Sequence, residues 1–216
     1  MNVPINPQRI AELLKEDIID DYYSLESLKF IPCGNTGLNM RAVDAGFMED
    51  EAFLASMQLF GNTERIKKFL PNLDFSSKEA VQKWVFAISS KTEKGWEFAY
   101  AIRINSGVVG LIMVSTPAYN KAIIGFEEWT MDFFVIEPFE GKRIMKAMLP
   151  RFLQFLKNEI EVDSIYVIID QDNSRCLNLI ANFPFDEVDN SDFTNIQNVA
   201  KAPRVFECPL WSIRFS

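Results

Sequence analysis

A basic turn at the start of a helix is the first feature of the chain that could carry chemistry. The run Phe134-Val135-Ile136-Glu137-Pro138-Phe139-Glu140-Gly141-Lys142-Arg143-Ile144-Met145 predicts a strand end, a tight turn and a helix start. A helix N-terminus offers unbonded N–H groups and the positive end of the helix dipole, which together suit a pyrophosphate. Gly141 lets the backbone approach a ligand closely, while Lys142, Arg143 and Lys146 add positive charge. The turn is either a phosphate site or a solvated basic edge.

Since the chain contains no histidine, any general base must be a carboxylate, a tyrosine, a lysine, a cysteine or a water molecule. Glu127, Glu128 and Asp132 lie on or just before a predicted strand that ends at Ile136. Asp132 has even spacing from Thr130 and Phe134, so we expect it to be half-buried with a raised pKa. For Glu127 and Glu128 the alternative is that both are solvated loop charges.

Composition excludes several classes of function. Without histidine, Ser-His-Asp and Cys-His catalysis and His-ligated zinc are ruled out. The three cysteines form no CxxC pair, so we predict neither a disulfide framework nor a metal centre. The net charge of −8 argues against nucleic acid as a partner. No apolar run of about 18 residues and no secretory signal occur, so we expect no membrane partner and a cytoplasmic location.

The hydrophobic periodicity predicts a mixed α/β (α+β) fold around a central sheet that is antiparallel at first. Residues 1–35 form a predicted helical extension, and residues 36–216 form the main domain. The predicted helices cover 7–23, 51–59, 63–70, 76–89, 142–159 and 173–183. The predicted strands cover 38–43, 96–104, 108–114, 129–136, 164–169, 185–188 and 205–211.

Local signals refine these elements. Ser76 and Glu79 predict a capping box, and Asn105-Ser106-Gly107 predicts a hairpin turn. Pro150 should kink the helix that contains it. The strand 164–169 is nearly all apolar and should lie inside the sheet. Residues 189–203 form a long polar connection of the kind that often serves as a lid or binding loop.

Several of these segments resemble the GNAT N-acetyltransferase superfamily over residues 36–216. Glu140-Gly141-Lys142-Arg143-Ile144-Met145 lies over the family's Gln/Arg-x-x-Gly-x-Gly/Ala turn, with Glu140, Arg143 and Met145 as departures. Asp172-Asn173-Ser174-Arg175-Cys176 resembles the family's Asn-x-x-Ser, and Ile180 stands where many members have a tyrosine acid. Phe183-Pro184-Phe185 resembles the closing Gly-Phe. The helix 76–89 and the run Gly107-Val108-Val109-Gly110-Leu111-Ile112 resemble the branch that acetylates ribosomal-protein N-termini.

The resemblance implies a GNAT-like, mostly antiparallel sheet with helices on both faces and acetyl-CoA as cosubstrate. An amine would attack the thioester directly. The implied acetyl-CoA contacts are the pantetheine with Val135, Ile136 and Asn173, and the pyrophosphate with Gly141, Lys142, Arg143, Ile144 and Met145. Asn173 could also cap its helix. Asp132 or Glu128 is the implied base, and Cys176 is either a proton donor to the leaving thiolate or a small buried group.

Two functional interpretations remain open from the sequence. The first is an N-acetyltransferase that acts on a small amine or on a peptide or protein N-terminus. The second is a GNAT-fold module that binds an acyl-CoA or a partner without turnover. The helix predicted at 7–23 either docks on the domain or pairs with a second subunit in a homodimer.

Overall fold

The computed structural model describes residues 38–104, 107–189, 200 and 202–213. They form a seven-stranded sheet in the order β1-β2-β3-β4-β5-β7-β6. The strands are β1 (Leu38–Ala42), β2 (Glu97–Ile104), β3 (Gly107–Ser115), β4 (Thr130–Val135), β5 (Ser164–Asp170), β6 (Asp186–Val188) and β7 (Pro203–Pro209). The helices are α1 (Glu51–Phe60), α2 (Glu64–Phe69), α3 (Lys78–Glu93), α4 (Pro117–Ile124), α5 (Ile144–Asn158) and α6 (Ser174–Ile180).

The strand pairing confirms the predicted mixed, mostly antiparallel sheet. β1 runs antiparallel to β2, as do β5 to β7 and β6 to β7. β4 and β5 are parallel and are in register at Thr130 and Tyr166. β5 therefore lies between two other strands, which confirms the interior position that its apolar sequence predicts.

The chain divides into two compact units. Of the described residues, the first unit comprises 38–104, 107–113 and Phe133–Ala147, and the second comprises Val114–Asp132, 148–189, 200 and 202–213. The predicted helix 7–23, the tip of the predicted hairpin at 105–106 and most of the 189–203 connection lie outside the described residues. None of the described helices is long and apolar enough to cross a membrane.

The first unit is built on a core shared by helices and strands. The core combines apolar side chains of α1, α2 and α3 with those of β2 and β3 and with Phe134 and Ile136 at the end of β4. Gly110 of β3 permits this packing, because a Cβ atom there would lie 2.5 Å from the carbonyl oxygen of Phe134. Any larger residue at position 110 would therefore displace the strand that leads into the basic turn.

The capping residues of the first unit explain where its helices begin. Asp50 accepts from Phe53 N at 3.0 Å to start α1, and Thr63 accepts from Ile66 N to start α2. For α3 the cap is Ser77, whose hydroxyl accepts from Ala80 N at 3.1 Å. The predicted capping box at Ser76 is therefore wrong by one residue, and α3 extends to Glu93 rather than to position 89.

The second unit contains α4, a helix that the periodicity analysis does not predict. Thr116 caps it, Pro117 occupies its first turn, and Gly125 ends it in the left-handed conformation with φ +70°. These signals were readable in the sequence, but α4 is only eight residues long. In α5 the apolar side chains predicted to face inward are all buried: Ile144, Met145, Met148, Leu149, Phe152 and Phe155. Pro150 lies inside that helix, as the sequence predicts.

Candidate functional site: a basic turn and a carboxylate–tyrosine cluster

The basic turn has two residues in left-handed backbone conformation. After a short 3-10 helix at Glu137–Phe139, Gly141 adopts φ +72° and Arg143 adopts φ +60°. Such alternation around a turn directs successive N–H groups toward one concavity that can bind an anion. Nothing lies within 4 Å of the place where a Cβ of Gly141 would be, so space beside the turn is open. The glycine is needed here for its backbone angle rather than for its small size.

Arg143 stands at the start of α5, where its carbonyl oxygen accepts from Ala147 N at 3.0 Å. Ile144 and Met145 follow, and their side chains are buried, with 1% and 5% exposure. Met145 therefore directs its bulk into the protein, although it replaces a glycine of the family pattern. Since both side chains are buried, Ile144 and Met145 can contact a ligand only through their backbone. Their N–H groups are suited to this because the first N–H groups of a helix have no acceptor within it.

Two charged side chains of the turn, Lys142 and Glu140, have different partners. The Lys142 ammonium lies 4.8 Å from the centre of the Phe139 ring, and Phe139 itself packs against the core of the first unit. Cation–π attraction therefore favours one position for an otherwise flexible side chain. Glu140 forms an ion pair with Arg65 of α2, a residue that the sequence analysis did not single out. No motif links positions 65 and 140, so only the packing of α2 reveals this pair.

The end of β4 offers backbone groups on one side only. Ile136 N donates to Val109 O of β3 at 3.0 Å, so the N–H of Ile136 is already used within the sheet. Neighbouring peptide groups of a strand point in opposite directions, and those of Val135 consequently point away from β3. Val135 and Ile136 are two of the three residues predicted to contact the pantetheine, and of these two Val135 is the one with backbone groups directed away from β3.

Glu128 of the second unit has the electrostatic character expected of a base. Desolvation raises its pKa above the usual range, and the negative charges of Glu207 and Glu127 raise it further. A carboxylate whose pKa is raised accepts a proton more readily near neutral pH, as a general base must. The segment that carries Glu128 is fixed by Asn120, whose side-chain amide donates to Glu128 O at 2.7 Å and to Thr130 Oγ1 at 2.9 Å.

Tyr166 and Glu207 complete a carboxylate–tyrosine cluster with Glu128. The two residues are cross-strand partners on β5 and β7, so their side chains lie on the same side of the sheet. Burial and the carboxylates of Glu207 and Glu128 raise the pKa of Tyr166 well above its usual value, and its hydroxyl donates to Glu207. Sequence reasoning missed both residues. The one sequence signal for Tyr166 and Glu207 is that each is a polar side chain inside a mostly apolar strand.

Asp132 differs from its expected environment. It is exposed, whereas Thr130 and Phe134, which share its strand face by spacing, are buried. The expectation of a half-buried Asp132 is therefore wrong, because sharing a strand face with buried neighbours does not fix how deeply a side chain is covered. Glu128, in contrast, is a predicted base whose pKa is raised by desolvation.

The segment around α6 carries two further candidates, Asn173 and Cys176. Asn173 caps α6, since its side-chain oxygen accepts from Cys176 N at 3.3 Å. Cys176 is a half-buried thiol, and Ile180 is buried with 2% exposure. Burial raises the pKa of the other described thiol, Cys208, to about 12, with further contributions from Asp186 and Glu207, so that thiol stays protonated. Cys33 lies outside the described residues.

The sequence model of the family described as "Acetyltransferase (GNAT) domain" matches residues 41–185. No curated protein sequence matches the chain at a significant level. An acetyltransferase from Salmonella typhimurium that modifies the N-terminal serine of a 50S ribosomal subunit protein superposes with a TM-score of 0.60 at 16% identity, covering 83% of this chain and 98% of its own. A ribosomal-protein-S5-alanine acetyltransferase from Vibrio fischeri has a TM-score of 0.61 at 11% identity, covering 82% and 96%. A spermidine N-acetyltransferase SpeG chimera from Vibrio cholerae and hSSAT has a TM-score of 0.58 at 13% identity, covering 80% and 95%.

Proposed function

This chain belongs to the acetyltransferase (GNAT) domain family, and from that premise we propose that it is an acetyl-CoA-dependent N-acetyltransferase acting on a primary amine. The observation that carries the proposal is the basic turn with left-handed Gly141 and Arg143 at the start of α5, inside the matched segment. A turn of this conformation, with open space beside it, suits the pyrophosphate of acetyl-CoA.

For the cosubstrate, we assign the phosphates to the backbone of Gly141 and to the side chains of Lys142 and Arg143. The backbone N–H groups of Ile144 and Met145 complete this part of the site at the start of α5. The backbone of Val135, which points away from β3, is assigned to the pantetheine. Asn173 caps α6 through its side-chain oxygen. We assign neither its backbone N–H nor its side-chain NH2 group to acetyl-CoA.

In the proposed reaction, the amine nitrogen attacks the thioester carbon of acetyl-CoA. A C–N bond forms, the C–S bond breaks, and the CoA thiolate leaves and takes up a proton. The amine must lose a proton, and Glu128 is assigned as the base because its pKa is raised. An α-amine, with a pKa of about 7.7–8.0, needs less help than a lysine amine at about 10.4.

The acceptor side of the proposal rests on the charge of the second unit. Glu128 and Glu207 place negative charge beside the Tyr166 hydroxyl, and an ammonium group is attracted by such a cluster. The similar structure from Salmonella typhimurium is named for the N-terminal serine of a ribosomal protein, that from Vibrio fischeri for an alanine of a ribosomal protein, and the chimera for spermidine. A primary amine, either small or at a protein N-terminus, is the substrate class that we propose.

Thermal unfolding with and without acetyl-CoA tests binding first. A ligand present at 100 times its Kd should add about 2.7 kcal/mol of stability, which is readily measured as a rise in Tm. Release of free CoA is then followed across a panel of polyamines, amino acids and N-terminal peptides. Glu128→Gln should lower kcat by about 10²-fold or more while leaving the Kd for acetyl-CoA unchanged, and Glu127→Gln is the matched control. No Tm shift at millimolar acetyl-CoA would overturn the proposal.

The second candidate function is an acyl-CoA-binding module without turnover. It is favoured by the replacement of family glycines with Arg143 and Met145 and by Glu140 in place of Gln or Arg. The same experiment separates the two functions. A rise in Tm without CoA release for any amine of the panel supports the module, and CoA release that depends on the amine supports the enzyme.

A further inference from the structure

The ion pair between Arg65 and Glu140 joins α2 to the basic turn within the first unit. One guanidinium nitrogen of Arg65 contacts Oε1 of Glu140, and the two side chains are 35% and 22% exposed. Both are therefore partly withdrawn from solvent, which strengthens the attraction relative to a pair on the open surface. Arg65 lies in the first turn of α2 beside Ile66, which is buried with 4% exposure and anchors the helix in the core.

Glu140 is the residue of the turn that is least suited to a phosphate. It directly precedes Gly141, whose left-handed conformation shapes the concavity, and a carboxylate there repels an anionic ligand. Arg65 lies against the same carboxylate and offsets its charge.

We propose that Arg65 is a positioning residue for the acyl-CoA phosphates. It neutralises Glu140, holds that carboxylate on the α2 side of the turn, and restores from α2 the positive charge that the turn lacks at position 140. This inference rests on the proposed function, because it assigns the turn to phosphate groups. The residue that it adds to the site, Arg65, lies 75 positions before Glu140 in the chain and belongs to no motif.

The two single variants and the double variant should change the affinity for acetyl-CoA in different directions. Arg65→Ala removes the guanidinium that lies against Glu140 and offsets its charge beside the phosphates, so the Kd for acetyl-CoA should rise at least tenfold. In Arg65→Ala/Glu140→Gln the repelling carboxylate is also gone, so most of the affinity should return. Glu140→Gln alone should bind acetyl-CoA as tightly as the wild type or more tightly. A purely structural ion pair predicts the opposite, namely that the double variant is no better than Arg65→Ala.

Calorimetric titration of each variant with two probes supplies the measurement. Acetyl-CoA carries the phosphates, and S-acetylpantetheine lacks them, so only the first should respond to Arg65→Ala. Lys67→Ala is the matched control on α2, since Lys67 is an exposed cation paired with Glu64 at 3.5 Å. Glu137→Gln is the matched control for an exposed carboxylate just before the turn. If Arg65→Ala is too unstable, Arg65→Gln removes the charge and keeps most of the side chain.

The outcomes separate the inference from the proposed function. A wild type that binds acetyl-CoA, with no recovery in the double variant, overturns the role of Arg65 alone. Equal weakening for acetyl-CoA and S-acetylpantetheine also overturns it, since the effect then does not pass through phosphates. A wild type that fails to bind acetyl-CoA overturns the proposed function and this inference together.

Discussion

Arg143 is the residue at which the basic turn departs most from ordinary backbone geometry. Its φ of +60° lies in the left-handed region, which a residue with a Cβ occupies at a cost of about 1–2 kcal/mol. A glycine would occupy the same conformation without that cost, as Gly141 does two residues earlier. The chain thus places a cation at a backbone position that favours glycine.

Replacing Arg143 by glycine should separate conformation from charge. We expect Arg143→Gly to gain about 1 kcal/mol in free energy of unfolding, because relief of strain exceeds the added freedom of the unfolded chain. The same variant should bind acetyl-CoA a few-fold more weakly because a cation is lost. Urea unfolding and calorimetric titration measure the two effects. Lys142→Gly is the control, since Lys142 has no positive φ and its replacement should lower stability. A destabilised Arg143→Gly would contradict the strain argument.

Glu128 should make stability depend on pH in a defined direction. Its pKa in the folded state is raised, so the bound proton favours folding. That contribution is fully present below the unfolded value of 4.5 and is lost as pH rises through the folded pKa. Glu128→Gln removes the titration, so its Tm relative to the wild type should increase from pH 4 toward neutral pH. Thermal unfolding of both proteins across that range measures the difference, and a difference independent of pH would refute the assignment.

At the scale of elements, α4 and the loop after it determine where Glu128 lies. The buried Asn120 side chain donates to Ser115 O at 3.3 Å as well as to Glu128 O and Thr130 Oγ1, so it joins the ends of β3 and β4. These acceptors would lose their partner if the amide were removed, and a buried unsatisfied acceptor costs about 1–3 kcal/mol. Asn120 therefore has both a stabilising role and a positioning role.

Asn120→Ala should lower the free energy of unfolding by about 2–3 kcal/mol. It should also lower kcat, because the segment carrying Glu128 is no longer held, while the Kd for acetyl-CoA stays unchanged. Chemical denaturation, steady-state kinetics and calorimetric titration check the three quantities. Asn182→Ala is a suitable control, since Asn182 is an exposed residue whose amide bonds Asn178 O and Leu179 O. Loss of acetyl-CoA affinity in Asn120→Ala would show that its effect is not local to Glu128.

The same elements show how far the sequence predicts this fold. Long periodic segments such as α3 and α5 and the apolar strand β5 are predicted within a few residues, because burial imposes their patterns. The start of α3 is misplaced because Ser76 and Ser77 are adjacent and both can cap a helix. The short helix α4 is missed because its signals are local caps rather than a long period.

The candidate site is less predictable than the fold because it depends on contacts between distant segments. The basic turn is visible in the sequence since its residues are contiguous. The pairing of Tyr166 with Glu207 requires the register of β5 against β7, and the contact of Arg65 with Glu140 requires the packing of α2. Asp132 is misjudged because alternation along a strand predicts which face a side chain shares but not how deeply that face is covered.

At the scale of the whole molecule, the chain carries a net charge of −8 and concentrates basic residues at one turn. Under the proposed function, the overall negative charge would attract a cationic acceptor and repel acetyl-CoA, so binding of the anionic cosubstrate would depend on the local cations of the turn. Salt weakens both interactions because the Debye length falls to about 10 Å at 0.1 M. The binding of each charged substrate should therefore depend more strongly on ionic strength than the binding of an uncharged analogue.

For a diamine or polyamine acceptor, we expect kcat/KM to fall several-fold between about 50 and about 200 mM salt, measured at saturating acetyl-CoA. A peptide acceptor with a free N-terminus and no net charge should change much less over the same range. The reason is that attraction by the protein's field acts on the net charge of the acceptor, whereas the proton transfer proposed for Glu128 involves its amine alone. Equal salt dependence for both acceptors would mean that the negative charge of this chain serves solubility and plays no part in selecting its substrate.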